Sequence, residues 1–367
     1  MQPERSTVMC VKSDSPSSPG MPPPIDTPTV SELARQSQVM RSIGTPFVAD
    51  LLAAVDRQLD HAPRTARLIR SWGSGAASSA IAMRINAALH ALARQGRVPL
   101  LSALYAGEHR RFDDAVAQAL AGHDDVLVEW LHQVPQTNEV GRAAGFYAAL
   151  MVLARRYGHP FELFEIGASA GLNLNLARYA YDLGGVHAGL PGSPVRIAPA
   201  WHGSPPPIAP VVVEAAQGVD LNPIDIRDPA ACERLASFIF ADQPDRSERL
   251  DRALAIARAH PPQVATGRAA NWLAARLAMP VLEDRHRVVL HSMVLQYVGA
   301  DERAAIERTL AATAKQADAA RPFACIGFEW NAARTQVELR LRSWPDGEDR
   351  ILAHCHPYGG WFDWKPS

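Results

Sequence analysis

Between Val30 and Tyr157 apolar positions recur every three to four residues. Phe47, Leu51, Leu52 and Val55 form one stripe, and Ser31 stands ahead of an amphipathic run as a helix-starting residue. The last stripe begins at about Val140, sets Phe146, Leu150, Leu153 and Tyr157 on one face, and stops at Gly158 with His159 and Pro160 behind it. Residues 29–157 are therefore expected to form an α-helical N-terminal domain. The period then changes. Phe161 to Ile166 is a short apolar run, interrupted by Glu162 and Glu165, that ends in glycine and small residues, which predicts a buried strand feeding a tight turn. Leu172 to Tyr181 reads as a helix, and Gly184, Gly185, Gly189, Pro191, Gly192 and Pro194 mark an irregular insertion over about 182–210.

Strand-like runs follow at Val211–Val213, Val219–Leu221, Val288–Leu290, Phe323–Phe328 and Val337–Leu341. Helical patterns at Ala230–Ala241, Arg246–His260, Ala269–Ala278 and Ala304–Ala319 separate most of them. Alternation of this kind argues for a mostly parallel sheet with helices on both faces, here over residues 158–367. No internal repeat is visible. Residues 1–28 are rich in Pro and Ser with almost no apolar content, so a disordered tail is expected. Because Met9, Met21 and Met40 lie in or near it, an alternative translation start is open.

Composition narrows the function classes. At 367 residues and 47% hydrophobic content, the chain can bury two folded units. Its 37 Lys and Arg nearly cancel 38 Asp and Glu, so no global positive field draws it to nucleic acid or an anionic membrane, and a small-molecule partner is expected instead. Neither a run of about 18 apolar residues nor a secretion signal appears, which makes the cytoplasm the expected location. Cys10, Cys232, Cys325 and Cys355 are far apart and form no CxxC pair, as expected of reduced thiols. The sequence does not set the oligomeric state.

The chemistry concentrates in FELFEIGASAGLNL. A strand turning into a helix through small residues can hold a cofactor that has a ribose and a charged tail, with backbone N–H groups pointing outward. Glu165 sits at the strand end, Gly167 and Gly171 bracket the turn, and Ala168, Ser169 and Ala170 are all small. The dinucleotide fingerprint GxGxxG would need glycine at Ser169 and at Leu172, so a nicotinamide cofactor fits poorly. The alternative is a tight turn without a ligand. Further on, GVDLNPIDI ends a second strand-like run in Asp220, a residue able to accept two hydrogen bonds from a ribose or, equally, to cap a turn.

The segment EIGASAG resembles the first cofactor motif of class I S-adenosylmethionine-dependent methyltransferases, and GVDLN resembles the end of the next strand in that superfamily. The resemblance implies a Rossmann-like class I methyltransferase sheet preceded by the helical domain, with S-adenosylmethionine as cofactor. Gly167, Ala168, Ser169 and Gly171 would pack against that cofactor, Glu165 would lie near its methionyl amino end, and Asp220 followed by Asn222 would lie at its ribose. The pattern departs at the third strand, where QVATGRAANWL offers Gly267 and Arg268 in place of an acidic adenine contact, with Asn271 as a substitute. PQTNEVGRA, EIGASAGLNLNLARYAYD, GVDLNPIDIRDP and SWPDGEDRILAHCHPYGGWFDW also resemble a bacterial family known as domain of unknown function 2332, over about Val30 to Trp364.

Residues flanking this core are candidates for the substrate side. The fourth strand, RVVLHSMVLQYV, should deliver His291, Ser292 and Gln296 to the crevice, with His291 as a candidate general base. Asn138, Glu139 and Arg142 lie in a polar loop that could fold over the cofactor, although Thr137 or Asn138 could equally cap a helix. Asn173 follows the glycine turn. His356 and Trp361 belong to an aromatic tail with His354, Tyr358 and Trp364, which could stack on a planar ligand or pack a terminal strand. His354 and His356 would share one side of a strand, but zinc would need further ligands, and no metal is expected.

Three functions compete on these residues: a small-molecule methyltransferase, a catalytically silent nucleotide-binding or regulatory module of the same fold, and a serine hydrolase. The last reads Gly167 to Gly171 as GxSxG with Ser169 as nucleophile and His291 or His356 as its partner.

Overall fold

The structure is a computed structural model that describes residues 31–42, 44–72, 80–280 and 284–365; the tail expected at 1–28 lies outside them. Its first part is helical: α1 (Glu32–Ser42), α2 (Pro46–Gln58), α3 (Pro63–Ser71), α4 (Ile81–Arg94), α5 (Pro99–Tyr105), α6 (Phe112–Gly122) and α7 (Asp124–His132). Proline opens α2, α3 and α5, where its fixed φ suits the helix and its missing N–H costs nothing. Their apolar faces, with Leu51, Leu52, Ile85, Leu89, Leu120 and Leu127 among them, make one buried cluster.

The next helix, α8 (Ala143–Tyr157), is buried on every side over most of its length and ends at Gly158 in the left-handed region (φ 75°). It packs with the sheet and not with α1–α7. The change of period after Tyr157 therefore marks the end of a helix, while the division between hydrophobic cores falls earlier, after α7.

Twelve strands are described: β1 (Phe161–Ile166), β2 (Ala180–Leu183), β3 (Val186–Gly189), β4 (Arg196–Ile197), β5 (Ala200–His202), β6 (Val213–Asp220), β7 (Gln263–Thr266), β8 (His286–Ser292), β9 (Phe323–Trp330), β10 (Val337–Trp344), β11 (Glu348–Cys355) and β12 (Trp361–Trp364). Nine of them form one sheet in the order β5-β12-β11-β10-β9-β8-β1-β6-β7. Within it, β7-β6-β1-β8-β9 pair in parallel. The chain starts this parallel block at β1, adds β6 and β7 on one side, then returns to add β8 and β9 on the other. Such a reversal opens a crevice beyond the carboxyl ends of β1 and β8. β10, β11 and β12 continue as an antiparallel meander, and β5 closes the edge beside β12.

The strand-like runs expected at 211–213 and 219–221 meet in one strand, β6, because the stretch between them pairs along β1, with one irregularity opposite Phe161 and Glu162. The helix expected at 172–181 is instead a 3-10 turn (Leu172–Arg178) followed by β2. Tyr179 and Tyr181 explain the difference, since their hydroxyls donate to the carbonyls of Leu172 (2.5 Å) and Leu176 (2.6 Å), taking acceptors a continuing helix would use. The insertion carries β2, β3 and β4 as a separate three-stranded sheet, order β3-β2-β4, as well as β5.

Helices α9 (Pro229–Ser237), α10 (Pro244–Ala259), α11 (Ala269–Leu277) and α12 (Ala300–Ala314) complete the molecule. α8 and α10 cover the sheet face that carries Phe161 and Leu163. α11 and α12 cover the face that carries Phe164 and Ile166. Cys232, Cys325 and Cys355 are buried and free. Among the described residues no helix is long and apolar enough to cross a membrane, and no three of His, Cys, Asp and Glu gather as a metal-holding group.

Candidate functional site

The loop after β1 carries three residues with positive φ: Gly167 (71°), Ser169 (55°) and Gly171 (71°). A Cβ on Gly167 would lie 2.4 Å from Val294 Cγ2, and one on Gly171 would lie 2.7 Å from Pro262 Cβ, so packing alone already requires both glycines. Ser169 has no such excuse: it is an L-residue held buried in the left-handed region, a placement that costs of order 1–3 kcal/mol.

The loop amides turn inward, contrary to the expectation of outward-pointing donors. Gly167 and Ala168 both donate to the Val219 carbonyl (2.9 and 3.1 Å), Ser169 to Asp220 Oδ2 (2.9 Å), Gly171 to the Ala168 carbonyl (2.7 Å) and Leu172 to Asn138 Oδ1 (2.9 Å). The neighbouring strand β6, the loop before α8 and the loop's own Ala168 carbonyl supply these acceptors, and a loop so closely flanked has few donors left for a ligand.

Its side-chain acceptors show the reverse. Glu165 is 1% exposed, and its Oε1 accepts from Asn173 Nδ2 (3.0 Å) while Oε2 has no partner. Asn173 Oδ1 and Ser169 Oγ are likewise buried without partners. Burial pushes the Glu165 carboxyl up to about 8; the Asn173 hydrogen bond opposes this, Asp220 adds to it and Arg142 opposes it. At neutral pH this acid is therefore mostly protonated.

Asp220 closes β6 at the other side of the crevice. Its two oxygens accept from the Ser169 and Asn222 amides, each at 2.9 Å, and each keeps a further lone pair. Leu221 beside it is 70% exposed, and Asn222 is exposed with its carbonyl accepting from Gln136 Nε2 (2.7 Å). The loop before α8 thus reaches across both strand ends, through Gln136 to Asn222 and through Asn138 to Leu172. Glu139 in that loop accepts from Gly141 N (3.0 Å) and pairs with Arg246 (2.6 Å) and, more distantly, Arg249 (3.8 Å).

Arg142 is buried, with Nε donating to the Pro357 carbonyl (2.9 Å), Nη1 3.4 Å from Ser292 Oγ, and the guanidinium 5.9 Å over the Phe328 ring. The turn after β11 comes back to meet it. Gly359 lies so close that a Cβ there would stand 2.4 Å from the Gly141 carbonyl oxygen, Tyr358 lies under the Arg246 guanidinium (3.8 Å), and His356 Nδ1 accepts from Tyr358 N. Trp361 remains on β12, its ring against His356. Gln296 is held away by Arg334, which donates to its Oε1 (2.6 Å).

His291 is not the base expected. It lies on the α11/α12 face, opposite Glu165, and its ring fills the space over Gly327, where a Cβ would stand 2.6 Å from the ring. Nδ1 meets Glu329 Oε1 at 2.9 Å, an oxygen that also accepts from the Val294 and Leu295 amides. Burial pulls its pKa down, but Cys325 and Glu329 outweigh burial and leave it raised. An imidazolium at neutral pH cannot take a proton. Arg268, which replaces the expected acidic contact, turns its guanidinium to Glu302 (2.7 Å) on α12, while the Gly267 amide is held by the Asp220 carbonyl (2.9 Å).

Residues the sequence reading missed are Arg246, Arg249 and Glu329. An Arg pair at i, i+3 on a helix with an otherwise apolar inner face, and a carboxylate closing the apolar run of β9, were the available signals. A cavity of about 440 Å³ lies at the opposite, amino end of the strands, among Phe161, Glu162, Glu214 and Arg287, away from all of these residues.

The chain matches a family model described as "Uncharacterized protein conserved in bacteria (DUF2332)" over residues 30–364, and it belongs to that family. Neither the curated proteins nor the solved structures hold a match to it.

Proposed function

We propose that this member of an uncharacterised bacterial family binds S-adenosylmethionine in the crevice at β1, β6 and β8 and transfers its methyl group to a small molecule. The observation that carries this reading is the inverted polarity of the glycine loop. Five of the six amides from Gly167 to Leu172 are spent internally, whereas Asn173 Oδ1 and Glu165 Oε2 are buried without partners, and Oε2, protonated in the free protein, becomes an acceptor when a cation draws the carboxyl into its ionised form. A nucleotide phosphate needs donors, and a loop with its amides committed serves it poorly. An ammonium or sulfonium needs acceptors, and an unpaired buried acceptor costs of order 1–3 kcal/mol until one arrives.

The surrounding fold supports the same ligand. The parallel strands run in the doubly wound order 3-2-1-4-5, whose crevice at the switch point takes nucleosides. Asp220 keeps lone pairs for two ribose hydroxyls, and exposed Leu221 next to it offers an apolar surface to a base. The cofactor would bring an electrophilic methyl group; the chain's residues orient it and exclude water. With His291 held as a cation it does not serve as base, and transfer proceeds by alignment to an acceptor atom that presents its own lone pair.

Calorimetric titration with S-adenosylmethionine and S-adenosylhomocysteine tests the reading. Binding of both, weakened at least about tenfold by Asp220→Ala, is expected from loss of a charge-assisted contact. Folded protein that gives no heat with either ends the proposal, and binding without a methylated product from metabolite pools leaves a silent nucleotide-binding module.

One observation favours hydrolysis instead, the left-handed, buried Ser169 with an unpartnered hydroxyl. His291 and His356 hydrogen-bond elsewhere, so no dyad forms. Labelling of Ser169 by a fluorophosphonate would reverse the preference.

A further inference from the structure

β8 ends at Ser292, and the Met293 amide makes one further bond across to β9, to the Phe328 carbonyl (3.0 Å). Met293 then takes a left-handed conformation (φ 54°), which turns the chain out of the sheet at a cost of order 1–3 kcal/mol for an L-residue. The Val294 and Leu295 amides leave the ladder with it and turn to a side chain.

That side chain is Glu329. Gly327 lies beside His291 in the β8–β9 register, and Glu329 follows two residues on, on the same sheet face and beyond the end of β8. Its Oε1 accepts from Val294 N (3.1 Å), Leu295 N (3.3 Å) and His291 Nδ1 (2.9 Å). Three donors on one oxygen, one of them an imidazolium, suit an ionised carboxylate. The absence of a side chain at Gly327 gives the imidazole its room.

What Glu329 holds presses on the glycine loop. A Cβ on Gly167 would stand 2.4 Å from Val294 Cγ2 and 2.7 Å from Val294 Cβ, so the valine occupies the place a side chain there would take. The 3-10 turn Leu295–Tyr297 runs on from this contact and carries Tyr297 out to solvent, 68% exposed. The loops after β1 and β8, which flank the crevice, are thus set against each other by one carboxylate from a third strand, β9. We infer that Glu329 is a positioning residue: it fixes Val294 on Gly167 and so keeps the glycine loop in its ligand-receiving conformation. Only the binding part of the inference rests on the proposed cofactor; the coupling between the loops needs no ligand.

Hydrogen exchange read by mass spectrometry tests the coupling. Glu329→Ala is expected to speed exchange at least about tenfold in segment 293–298 and, through the freed valine, in segment 167–172, while α8 keeps its wild-type rate. Glu329→Gln keeps a carbonyl acceptor for the two amides and for a neutral His291, and is expected to restore most of the protection in both segments. Val294→Ala is expected to speed exchange in 167–172 while the amides at 294 and 295 stay protected. By calorimetry, S-adenosylhomocysteine affinity should follow the glycine loop, falling at least about tenfold in Glu329→Ala and Val294→Ala and recovering in Glu329→Gln.

An unchanged glycine loop in Glu329→Ala overturns the inference and leaves the cofactor reading standing, as does nucleoside affinity unchanged by a loosened loop. Should Glu329→Ala not fold, Val294→Ala decides, and wild-type exchange in its 167–172 segment overturns the inference equally. Coupled loosening of the two loops in protein that binds no nucleoside keeps the positioning role of Glu329 and removes the cofactor reading.

Discussion

Glu165 holds a proton that the unfolded chain would release, because burial raises its carboxyl from 4.5 to about 8. Folding therefore binds a proton between those values. The contribution to stability is fully present below about 4.5 and is lost as pH rises through about 8. Glu165→Gln removes the titration, so the stability of wild type relative to the variant should fall across that window by up to about 4 kcal/mol, at 1.36 kcal/mol per decade of shift. Denaturant titrations at pH 5 and pH 8.5 measure it, and equal differences at both pH values would exclude a buried protonated Glu165. The same residue shows what the sequence can and cannot disclose. Glycine and small residues after an apolar run announced the turn, and Asp220 announced its partner strand, since both depend on local chemistry. That the loop amides are spent on Val219, Asp220 and Asn138 while Glu165 Oε2 goes without depends on contacts up to about fifty residues apart in the chain, which no spacing encodes.

At the scale of elements, periodicity located α10, α11 and four strands of the parallel block, β1, β6, β8 and β9, but passed over β7 and misjudged which core α8 serves. α8 follows a helical region and looks like its last member. Its small residues, among them Ala143, Ala144, Gly145, Ala148 and Ala149, instead let it lie close against the sheet. Gly145 makes the point sharply, because a Cβ there would stand 2.8 Å from Phe362 Cε1 and 3.4 Å from Leu339 Cδ1, and the Phe362 ring is fully buried. Gly145→Ala gains about 1 kcal/mol of helix propensity, but overpacking of a rigid ring costs typically 1–3 kcal/mol. We expect a net loss of about 1 kcal/mol, read as a lower urea midpoint at unchanged slope. A stabilised variant would mean that α8 does not press on β12 as described. The 3-10 turn at Leu172–Arg178 was illegible for a related reason: its side-chain pattern is helical, and two tyrosine hydroxyls, one just after the turn and one in β2, decide the backbone.

At the scale of the molecule, the helices α1–α7 and the sheet have separate cores, and the segment after α9 joins them. Phe240 is 2% exposed and belongs to the helical cluster, although it lies in sequence between two helices of the α/β part. Around it, His90 Nδ1 meets the Ser237 and Ile239 carbonyls (3.2 and 3.0 Å), Arg94 pairs with Glu233, and the Phe47 amide donates to Asp242 (3.3 Å). The ion pair is about one-third exposed to solvent on each side and contributes little, so the phenylalanine should dominate the junction. Phe240→Ala removes a ring from a closed core, a change that costs typically 3–5 kcal/mol. The loss falls on the helical cluster, because Phe240 packs there and not with the sheet. Calorimetry should then show the wild-type transition resolve into two, with the helical part melting first and the calorimetric enthalpy exceeding the van't Hoff value. The loop of Gln136 and Asn138, which bridges the ends of β1 and β6, follows α7 directly. Loosening the helical part should therefore weaken nucleoside binding at the crevice while the sheet stays folded, and a variant that melts in two steps yet binds with wild-type affinity would show that the helical domain does not support the site.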